Sequence, residues 1–244
     1  MHYKCKIMNN IIRRIEHIDW QNVTEALHQN GYAVIPGFLS DNECEALKSD
    51  YDNVDLYRKT VVMARHRFGL GEYKYFNYPL PDLIQTIRTN IYPHLVPVAN
   101  AWFKALRIDM DFPLEHTALL QQCHNNGQRK ATPLILKYGK KGFNTLHQDL
   151  YGDIYFPIQL VLMLNEPEKD FTGGEFVLTQ QIPRAQSKAI VLHPKKGDAL
   201  IFTTNFKPEK GAKGYYRVNM KHGVSEVKEG SRCTLGIIFH DAAS

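Results

Sequence analysis

Cysteine is scarce in this sequence, with four among 244 residues, and no two of them form a C-x-x-C pair. Zinc ribbons and disulfide frameworks need cysteines at close, regular spacing, so both classes are disfavoured. The four are widely separated in the chain: Cys5, Cys44, Cys123 and Cys233. We therefore expect reduced thiols in a cytoplasmic protein.

Long apolar runs are missing as well. No stretch approaches the roughly 18 apolar residues of a membrane-spanning helix, and nothing after the N-terminus resembles the apolar core of a signal peptide. The sequence thus predicts neither a membrane span nor export.

Linkers rich in proline, glycine or serine are also absent, while 43% hydrophobic residues suffice for one core. We predict an N-terminal arm over residues 1–18 and a single domain over residues 19–244. The excess of charge is small, with 30 basic against 25 acidic residues. A net charge of +5 permits a polyanionic partner without requiring one.

The first half of the chain carries helix signals. Asp19 is placed to cap a helix that ends at the left-handed pair Asn30-Gly31, and a strand follows over residues 32–35. Ser40 and Glu43 fit a capping box that opens a second helix. These elements predict a helical layer before the rest of the chain.

The second half reads as short strands after one long helix, which we predict from Pro81, at its first position, to about Arg107. The predicted strands are residues 119–123, 133–138, 157–164, 175–178, 189–193, 199–203, 217–224 and 234–240. Residues 158–164 are apolar on both faces apart from Gln159, which predicts a central strand covered on both sides. Such spacing is typical of a double-sheet jelly roll or barrel, and with the helices it predicts an α+β fold.

His147-Gln148-Asp149 is the most informative segment. In an extended chain, residues 147 and 149 face the same way with α-carbons roughly 6.5–7 Å apart, so an imidazole and a carboxylate can converge on one metal ion. His222, from a distant strand, would complete a triad of two histidines and one carboxylate that holds Fe(II) on one face. Arg232, which follows at a distance of 10 residues, could anchor the carboxylate of a co-substrate.

Other residues compete for these roles. His17-Ile18-Asp19 repeats the His-x-Asp pattern, but its aspartate is better used as a helix cap. His193 and His240 are alternative third ligands, and Asp153 is an alternative carboxylate. We favour the segment 147–149 because only this one is followed by apolar strands that contain a further histidine, His222, and then an arginine, Arg232.

Basic and aromatic residues interleave between Arg65 and Tyr78. In a functional interpretation, the rings stack on nucleic-acid bases while Arg and Lys contact phosphates. In a structural interpretation, a hairpin around Gly69-Leu70-Gly71 covers the core with its aromatics. The candidate substrate-binding residues are Arg65, Arg67, Phe68, Tyr73, Tyr75 and, after the metal motif, Tyr151. Further positive charge comes from Lys207, Lys210, Lys213, Arg217 and Lys221.

Several segments, taken in order, resemble those of one known superfamily. They are residues 31–40, 147–149, 171–176, 194–202, 222–224, and Arg232 leading into 235–241. Together they resemble the Fe(II)- and 2-oxoglutarate-dependent dioxygenases, in particular the prolyl-hydroxylase-like branch. Several of these segments are similar in sequence to those of a bacterial oxygenase family associated with oxidative repair of damaged nucleic acid.

The resemblance implies a double-stranded β-helix, or jelly roll, with supporting N-terminal helices and a metal site within residues 133–244. It implies that His147, Asp149 and His222 bind Fe(II). The co-substrate 2-oxoglutarate then chelates the metal, and one position remains for O2. The implied reaction hydroxylates a C–H bond and releases succinate and CO2; ascorbate is a further candidate cofactor.

The resemblance also suggests what holds the co-substrate. Arg232 matches the position from which the superfamily grips the far carboxylate of 2-oxoglutarate. The planar guanidinium group of arginine can make a bidentate contact with a carboxylate, which lysine cannot reproduce. Tyr138 and Thr234 are candidates to add hydroxyl groups to that carboxylate, with core packing as the alternative.

Three functions remain open at this point. The first is oxidative demethylation of a damaged nucleic acid base, which must leave the base stack to be reached. The second keeps the chemistry but acts on a protein side chain, as prolyl hydroxylases do. The third is a cupin-like module that binds a metal without catalysis, although such a module has no need for both the triad and Arg232.

Overall fold

Helices and strands alternate in the first half of the chain, and strands dominate the second half. The structure is a computed structural model, which describes residues 10–150 and 152–243. Residues 10–16 are helical, and four longer helices follow: α1 Trp20–Asn30, α2 Asp41–Ser49, α3 Asp82–Ala105 and α4 His116–Asn125. Among the described residues, no helix is long and apolar enough to cross a membrane.

Local capping explains where the first helices begin and end. The Asp19 carboxylate accepts a hydrogen bond from the Asn22 backbone N–H, and Gly31 ends α1 in the left-handed conformation. Ser40 and Glu43 form the capping box of α2. The helix ends and the strand predicted at residues 32–35 are confirmed.

Fifteen strands lie in the described part of the chain. The first seven are β1 Tyr32–Ile35, β2 Tyr57–Val62, β3 Gly69–Leu70, β4 Glu72–Phe76, β5 Leu134–Tyr138, β6 Phe143–His147 and β7 Ile158–Met163. The next four are β8 Phe171–Gly173, β9 Phe176–Gln181, β10 Lys188–Leu192 and β11 Ala199–Thr203. The last four are β12 Phe206–Gly211, β13 Gly214–Val224, β14 Val227–Gly230 and β15 Arg232–Ile237.

Two antiparallel sheets carry most of these strands. The first has seven strands in the order β1-β11-β7-β15-β5-β4-β2. The second has six, β10-β9-β13-β6-β3 with β12 paired to β13, and β8 pairs separately with β14. As predicted, β7 is central in its sheet, and all six of its residues are buried.

Strict alternation along the seven-stranded sheet gives it two different faces. In β15, Cys233, Leu235 and Ile237 belong to a large apolar core that also contains Ile84, Ile87 and Ile91 of α3. The intervening residues Arg232, Thr234 and Gly236 line a cavity on the other face. The helices therefore cover one side of this sheet and leave the opposite side to the six-stranded sheet.

The structure corrects two sequence predictions. Residues 119–123 are not a strand but part of α4, because the buried positions His116, Leu119 and Cys123 follow a helical period. Pro81 is the N-cap of α3 rather than its first helical residue. That helix continues through Pro93 and Pro97, which lie inside it.

A buried arginine on α3 ties the helical layer to the segment that follows β15. The Arg88 guanidinium donates to the carbonyls of Ile238, Phe239 and His240 and pairs with the Asp241 carboxylate at 2.9 Å. The Tyr78 hydroxyl also donates to this carboxylate, at 2.9 Å. Both ion-pair side chains are fully buried, so each charge depends on the other for compensation.

We expect Arg88→Met to destabilise the fold by about 3–5 kcal/mol, because it leaves the Asp241 carboxylate buried without its cation. Urea denaturation followed by circular dichroism measures this loss. The matched control is Lys140→Met, which removes the solvent-exposed pair with Glu229 and should cost no more than about 1 kcal/mol. Equal losses in the two variants would contradict the assignment of the Arg88 pair as a structural anchor.

Candidate active site

Two histidines and an aspartate meet on the inner face of the six-stranded sheet. His147 ends β6 and lies directly opposite His222 of β13 in the strand register. Asp149 approaches both, with carboxylate oxygens 3.4 Å from His147 Nε2 and 3.2 Å from His222 Nε2. One ligand atom from each residue lies within 4.8 Å of the others, an arrangement that could hold a metal ion.

The residue between the two motif ligands explains why they converge. Gln148 points away from the triad, and its amide donates to the backbone carbonyls of Asn205 and Met220. This contact fixes the backbone and leaves His147 and Asp149 on the opposite side, as the alternation predicts. The His147 Nδ1 lies 2.7 Å from the Thr145 carbonyl, which leaves Nε2 for the site.

The Asp149 carboxylate and the two imidazoles shift one another's pKa values. Burial raises the pKa of Asp149, but the adjacent imidazoles outweigh it and hold this pKa well below the usual range. For His147, burial lowers the pKa, but the adjacent Asp149 carboxylate outweighs burial. The pKa of His147 is therefore raised overall. For His222, burial dominates and lowers the pKa. An ionised carboxylate beside a neutral imidazole is the state that binds a divalent cation.

The seven-stranded sheet supplies the opposite wall of the site. Arg232 of β15 lies directly opposite Tyr138 of β5 in the register, and both side chains are buried. Its guanidinium carbon lies 5.5 Å from the centre of the Tyr138 ring. Thr234, two residues along β15, also lines the cavity. The structure therefore brings the three predicted co-substrate residues to one wall.

Arg232 is buried without an ionic partner. Only 1% of this residue is exposed, and its Nε and Nη2 atoms have no hydrogen-bond partner within residues 10–150 and 152–243. It forms no salt bridge in the described part of the chain, and burial lowers its pKa. A buried, unpaired guanidinium is costly, so this position fits an anionic ligand.

Glycine makes room for that arginine. Gly174 has φ of +65°, and a Cβ atom there would lie 3.0 Å from Arg232 Cδ and 2.9 Å from Val227 Cγ2. Gly173 has positive φ as well, so both residues adopt a backbone conformation that favours glycine.

A cavity of about 300 Å³ connects the triad with Arg232. Its apolar lining comes from both sheets and includes Leu134, Leu136, Val161, Phe176, Phe202 and Ile238. Phe68 and Tyr73 also line it, and Phe68 is 46% exposed at the rim. The volume is that of a small-molecule site.

The other substrate candidates lie in different surroundings. Arg65 and Arg67 are exposed in the turn that leads to Phe68. Tyr75 is buried in the wall behind Tyr73 and carries the Arg58 guanidinium 4.6 Å from its ring centre. It does not line the cavity but packs in a small apolar cluster with Val61, Leu134 and Ile238. Tyr151 lies outside the described residues.

Among the additional basic residues, Lys207 departs from expectation. It is 3% exposed and pairs with Glu209 at 3.0 Å, so it is not part of a positive surface. Arg217 extends its guanidinium over the Phe206 ring at 4.4 Å. Lys210, Lys213 and Lys221 are exposed.

The competing ligands lie elsewhere. Asp153 and His193 are exposed, and His240 is buried, with its Nδ1 accepting a hydrogen bond from the Phe156 backbone N–H. Asp19 caps α1, as predicted. Of the candidate ligands, His147, Asp149 and His222 are the ones that the structure brings within 4.8 Å of one another among the described residues.

Gln159 is a site residue to which sequence reasoning assigned no role. Its amide donates to Asp149 at 2.8 Å, although it comes from β7 in the opposite sheet. The available signal was its position as the one polar residue in an otherwise apolar central strand. That pattern indicates a buried amide with a partner but not which partner.

Several solved structures that share this fold are hydroxylases or oxygenases. A prolyl-4-hydroxylase from Pseudomonas putida aligns with a TM-score of 0.52 and 15% identity over 90% of this chain and 97% of that chain. A 2OG-Fe(II) oxygenase family protein from Burkholderia pseudomallei gives 0.52 and 16% over 93% and 95%. A Trichoplax adhaerens prolyl hydroxylase, in complex with a hypoxia inducible factor peptide fragment, gives 0.51 and 14% over 98% and 92%.

This fold and the His-Asp-His site define the class: a 2-oxoglutarate- and Fe(II)-dependent dioxygenase. A family model described as "Oxygenase, catalysing oxidative methylation of damaged DNA" matches residues 71–242, and the chain belongs to this family, Oxygenase-NA. A Mycobacterium tuberculosis protein described as uncharacterized is 41% identical over 191 residues, or 76% of this chain and 82% of the relative. The non-catalytic cupin-like interpretation gives way to an enzyme.

We expect Asp149→Ala to abolish binding of one equivalent of Mn(II), because two imidazoles alone provide neither the charge nor the third ligand of the triad. Isothermal titration calorimetry measures the stoichiometry. Asp153→Ala is the matched control, since it removes an exposed carboxylate from the same loop and should bind like the wild type. Retained binding in Asp149→Ala would contradict the assignment of the ligands.

Proposed function

We propose that this enzyme oxidatively demethylates damaged nucleic acid bases, with His147, Asp149 and His222 as the Fe(II) ligands and Arg232 as the anchor for 2-oxoglutarate. One observation carries the co-substrate assignment. Arg232 is fully buried, unpaired within the described residues, and lies in the same cavity as the triad. A dicarboxylate that reaches from the metal to this guanidinium supplies its missing anion.

The residues present fit both groups. Two imidazoles and one carboxylate are the donors of a facial triad, which leaves coordination positions open. Burial raises the pKa of Tyr138 to about 12. Its hydroxyl therefore stays protonated and can donate a hydrogen bond to the far carboxylate beside Arg232. Thr234 offers a second hydroxyl on the same wall. Bound iron supplies the activation of dioxygen, and the protein orients the reactants and excludes water.

The support for a nucleic acid substrate comes from the family description and from the rim of the cavity. Arg65 and Arg67 are exposed on the turn that leads to Phe68, so two cations lie close in the chain to an aromatic ring at the opening. Such a group can contact phosphates while the ring stacks on a base. A base must leave its stack to reach a metal inside a cavity, and Phe68 is placed to occupy the space it vacates.

A protein substrate is the second candidate. The prolyl hydroxylases with the same fold favour it, one of them in complex with a peptide fragment. In this alternative the exposed apolar residues Phe68 and Leu150, which line the cavity, would form part of a peptide groove rather than a stacking surface. Turnover with a proline-containing peptide, and none with a methylated oligonucleotide, would favour this alternative.

We also propose that the facing sheets form a double-stranded β-helix, or jelly roll, with residues 19–244 as one domain and residues 1–18 as an arm. The alternating inner and outer faces of both sheets support this assignment. The buried free cysteines Cys44, Cys123 and Cys233 fit a cytoplasmic enzyme with reduced thiols. Ascorbate is proposed as an additional reductant for the iron.

We expect the Fe(II)-loaded protein to form succinate from 2-oxoglutarate in air, and Arg232→Lys to raise the KM for 2-oxoglutarate by about 10–100-fold. Lysine keeps the charge but loses the bidentate contact, which corresponds to roughly 1.4–2.8 kcal/mol. Succinate is quantified by mass spectrometry over a series of 2-oxoglutarate concentrations. Lys221→Arg, which lies outside the cavity lining, serves as the control. An unchanged KM in Arg232→Lys would rule out this anchor.

We expect binding of a methylated single-stranded oligonucleotide to weaken with salt, because phosphate contacts release counterions. Arg65→Ala/Arg67→Ala should reduce the slope of log affinity against log salt by about 1.4, from roughly 0.7 per phosphate contact on single strands. Fluorescence anisotropy at several salt concentrations measures the slope.

The control for this double variant is Lys104→Ala/Arg107→Ala. It removes the same charge from exposed positions at the end of α3, outside the cavity lining. An equal change in slope for both double variants would mean that net charge alone matters. Salt-independent binding of the wild type would count against a nucleic acid substrate.

A further inference from the structure

Gln159 is a polar residue in β7, a strand with no exposed position. All six residues of β7 are buried, and Gln159 itself is 6% exposed. An amide in such a place needs a hydrogen-bond partner, because burying it unsatisfied costs free energy. Its partner therefore indicates why this strand tolerates a polar side chain.

That partner is the metal site. Gln159 Nε2 lies 2.8 Å from Asp149 Oδ2 and 3.3 Å from His222 Nε2. An ionised carboxylate can only accept hydrogen bonds, so the amide N–H donates to it. The direction of this hydrogen bond follows from the chemistry of the carboxylate and not from the placement of amide atoms alone.

We propose that Gln159 is a positioning residue that restricts Asp149 to one metal-binding oxygen. The amide N–H engages Oδ2, and Oδ1 faces His147 Nε2 at 3.4 Å. A carboxylate that bound through both oxygens would occupy a coordination position that 2-oxoglutarate or dioxygen needs. This inference rests on the proposed metal site and adds a residue outside the triad.

The surroundings of Gln159 hold it in place. Its strand lies between β11 and β15, and Gln159 pairs in register with Phe202. The Phe202 ring packs 4.9 Å from the His222 ring and 4.8 Å from the Phe176 ring, measured between centroids. The amide thus reaches from the seven-stranded sheet to a ligand on the segment that follows β6 in the six-stranded sheet.

Two substitutions separate donation from shape. Gln159→Leu removes the amide and places an apolar side chain of similar size in this buried strand. Gln159→Met keeps the length of the unbranched side chain but has no hydrogen-bond donor for Asp149. We expect Gln159→Leu to bind Mn(II) about 10-fold more weakly, as for other residues that orient metal ligands. Both variants should change the visible absorption of bound Co(II), which reports coordination number and geometry.

The measurements use the full chain, with Mn(II) in calorimetry and Co(II) in absorption spectroscopy. Gln180→Leu is the matched control, because its amide bonds to Glu209 at 3.2 Å and lies outside the cavity lining. It should retain the affinity and the spectrum of the wild type. Thermal unfolding of each variant without metal checks that the fold is intact.

The outcomes separate this inference from the proposed function. Wild-type affinity and spectrum in Gln159→Leu would overturn the positioning role while the metal site stands. A wild-type spectrum in Gln159→Met would show that shape, not donation, matters and would overturn the role as well. Absence of Mn(II) and Co(II) binding to the wild-type protein would instead remove the metal site on which both rest.

Discussion

The antiparallel pairing of β6 with β13 is the constraint on which the site depends. It sets His147 opposite His222, with ring centroids 4.2 Å apart, although 74 residues separate the two in the chain. Gly223, next to His222, permits the close approach, since a Cβ there would lie 2.7 Å from the Asn144 carbonyl oxygen. Hydrogen bonds between the strands fix this geometry before any ligand binds, so the two imidazoles are preorganised.

The two sheets divide the chemistry between them. The six-stranded sheet and the segment after β6 carry the triad, whereas Arg232, Thr234 and Tyr138 come from the seven-stranded sheet. Facing sheets pack about 10 Å apart, so this separation suits a small ligand that touches the metal with one end and the guanidinium with the other. The Arg88 anchor bonds to the segment just after β15, and so it supports the wall that carries Arg232.

Local signals in the sequence predicted the elements whose stabilising contacts are local. Asp19 and Ser40 cap their helices because the capping bonds reach only three residues ahead. The pair His147 and Asp149 was predictable for the same reason, since alternation in an extended chain is local. Residues 119–123 were misassigned because a segment of five residues is too short to distinguish a helical period from a strand period. The partner of Gln159 could not be predicted, since it lies on another sheet and register is a tertiary property.

The division of roles within the cavity limits where specificity can arise. In the proposed assignment the triad and Gln159 serve the metal and Arg232 with its hydroxyl neighbours holds the co-substrate. This leaves a few polar lining residues, such as Tyr73, Asn144 and Thr145, to contact a substrate. Most of the remaining lining is apolar, which can accept a flat base or a proline ring equally well. The rim adds discrimination, because the exposed Arg65 and Arg67 lie on the turn that leads to Phe68. Two cations beside an exposed ring complement a phosphate backbone better than a neutral peptide, and this asymmetry favours nucleic acid.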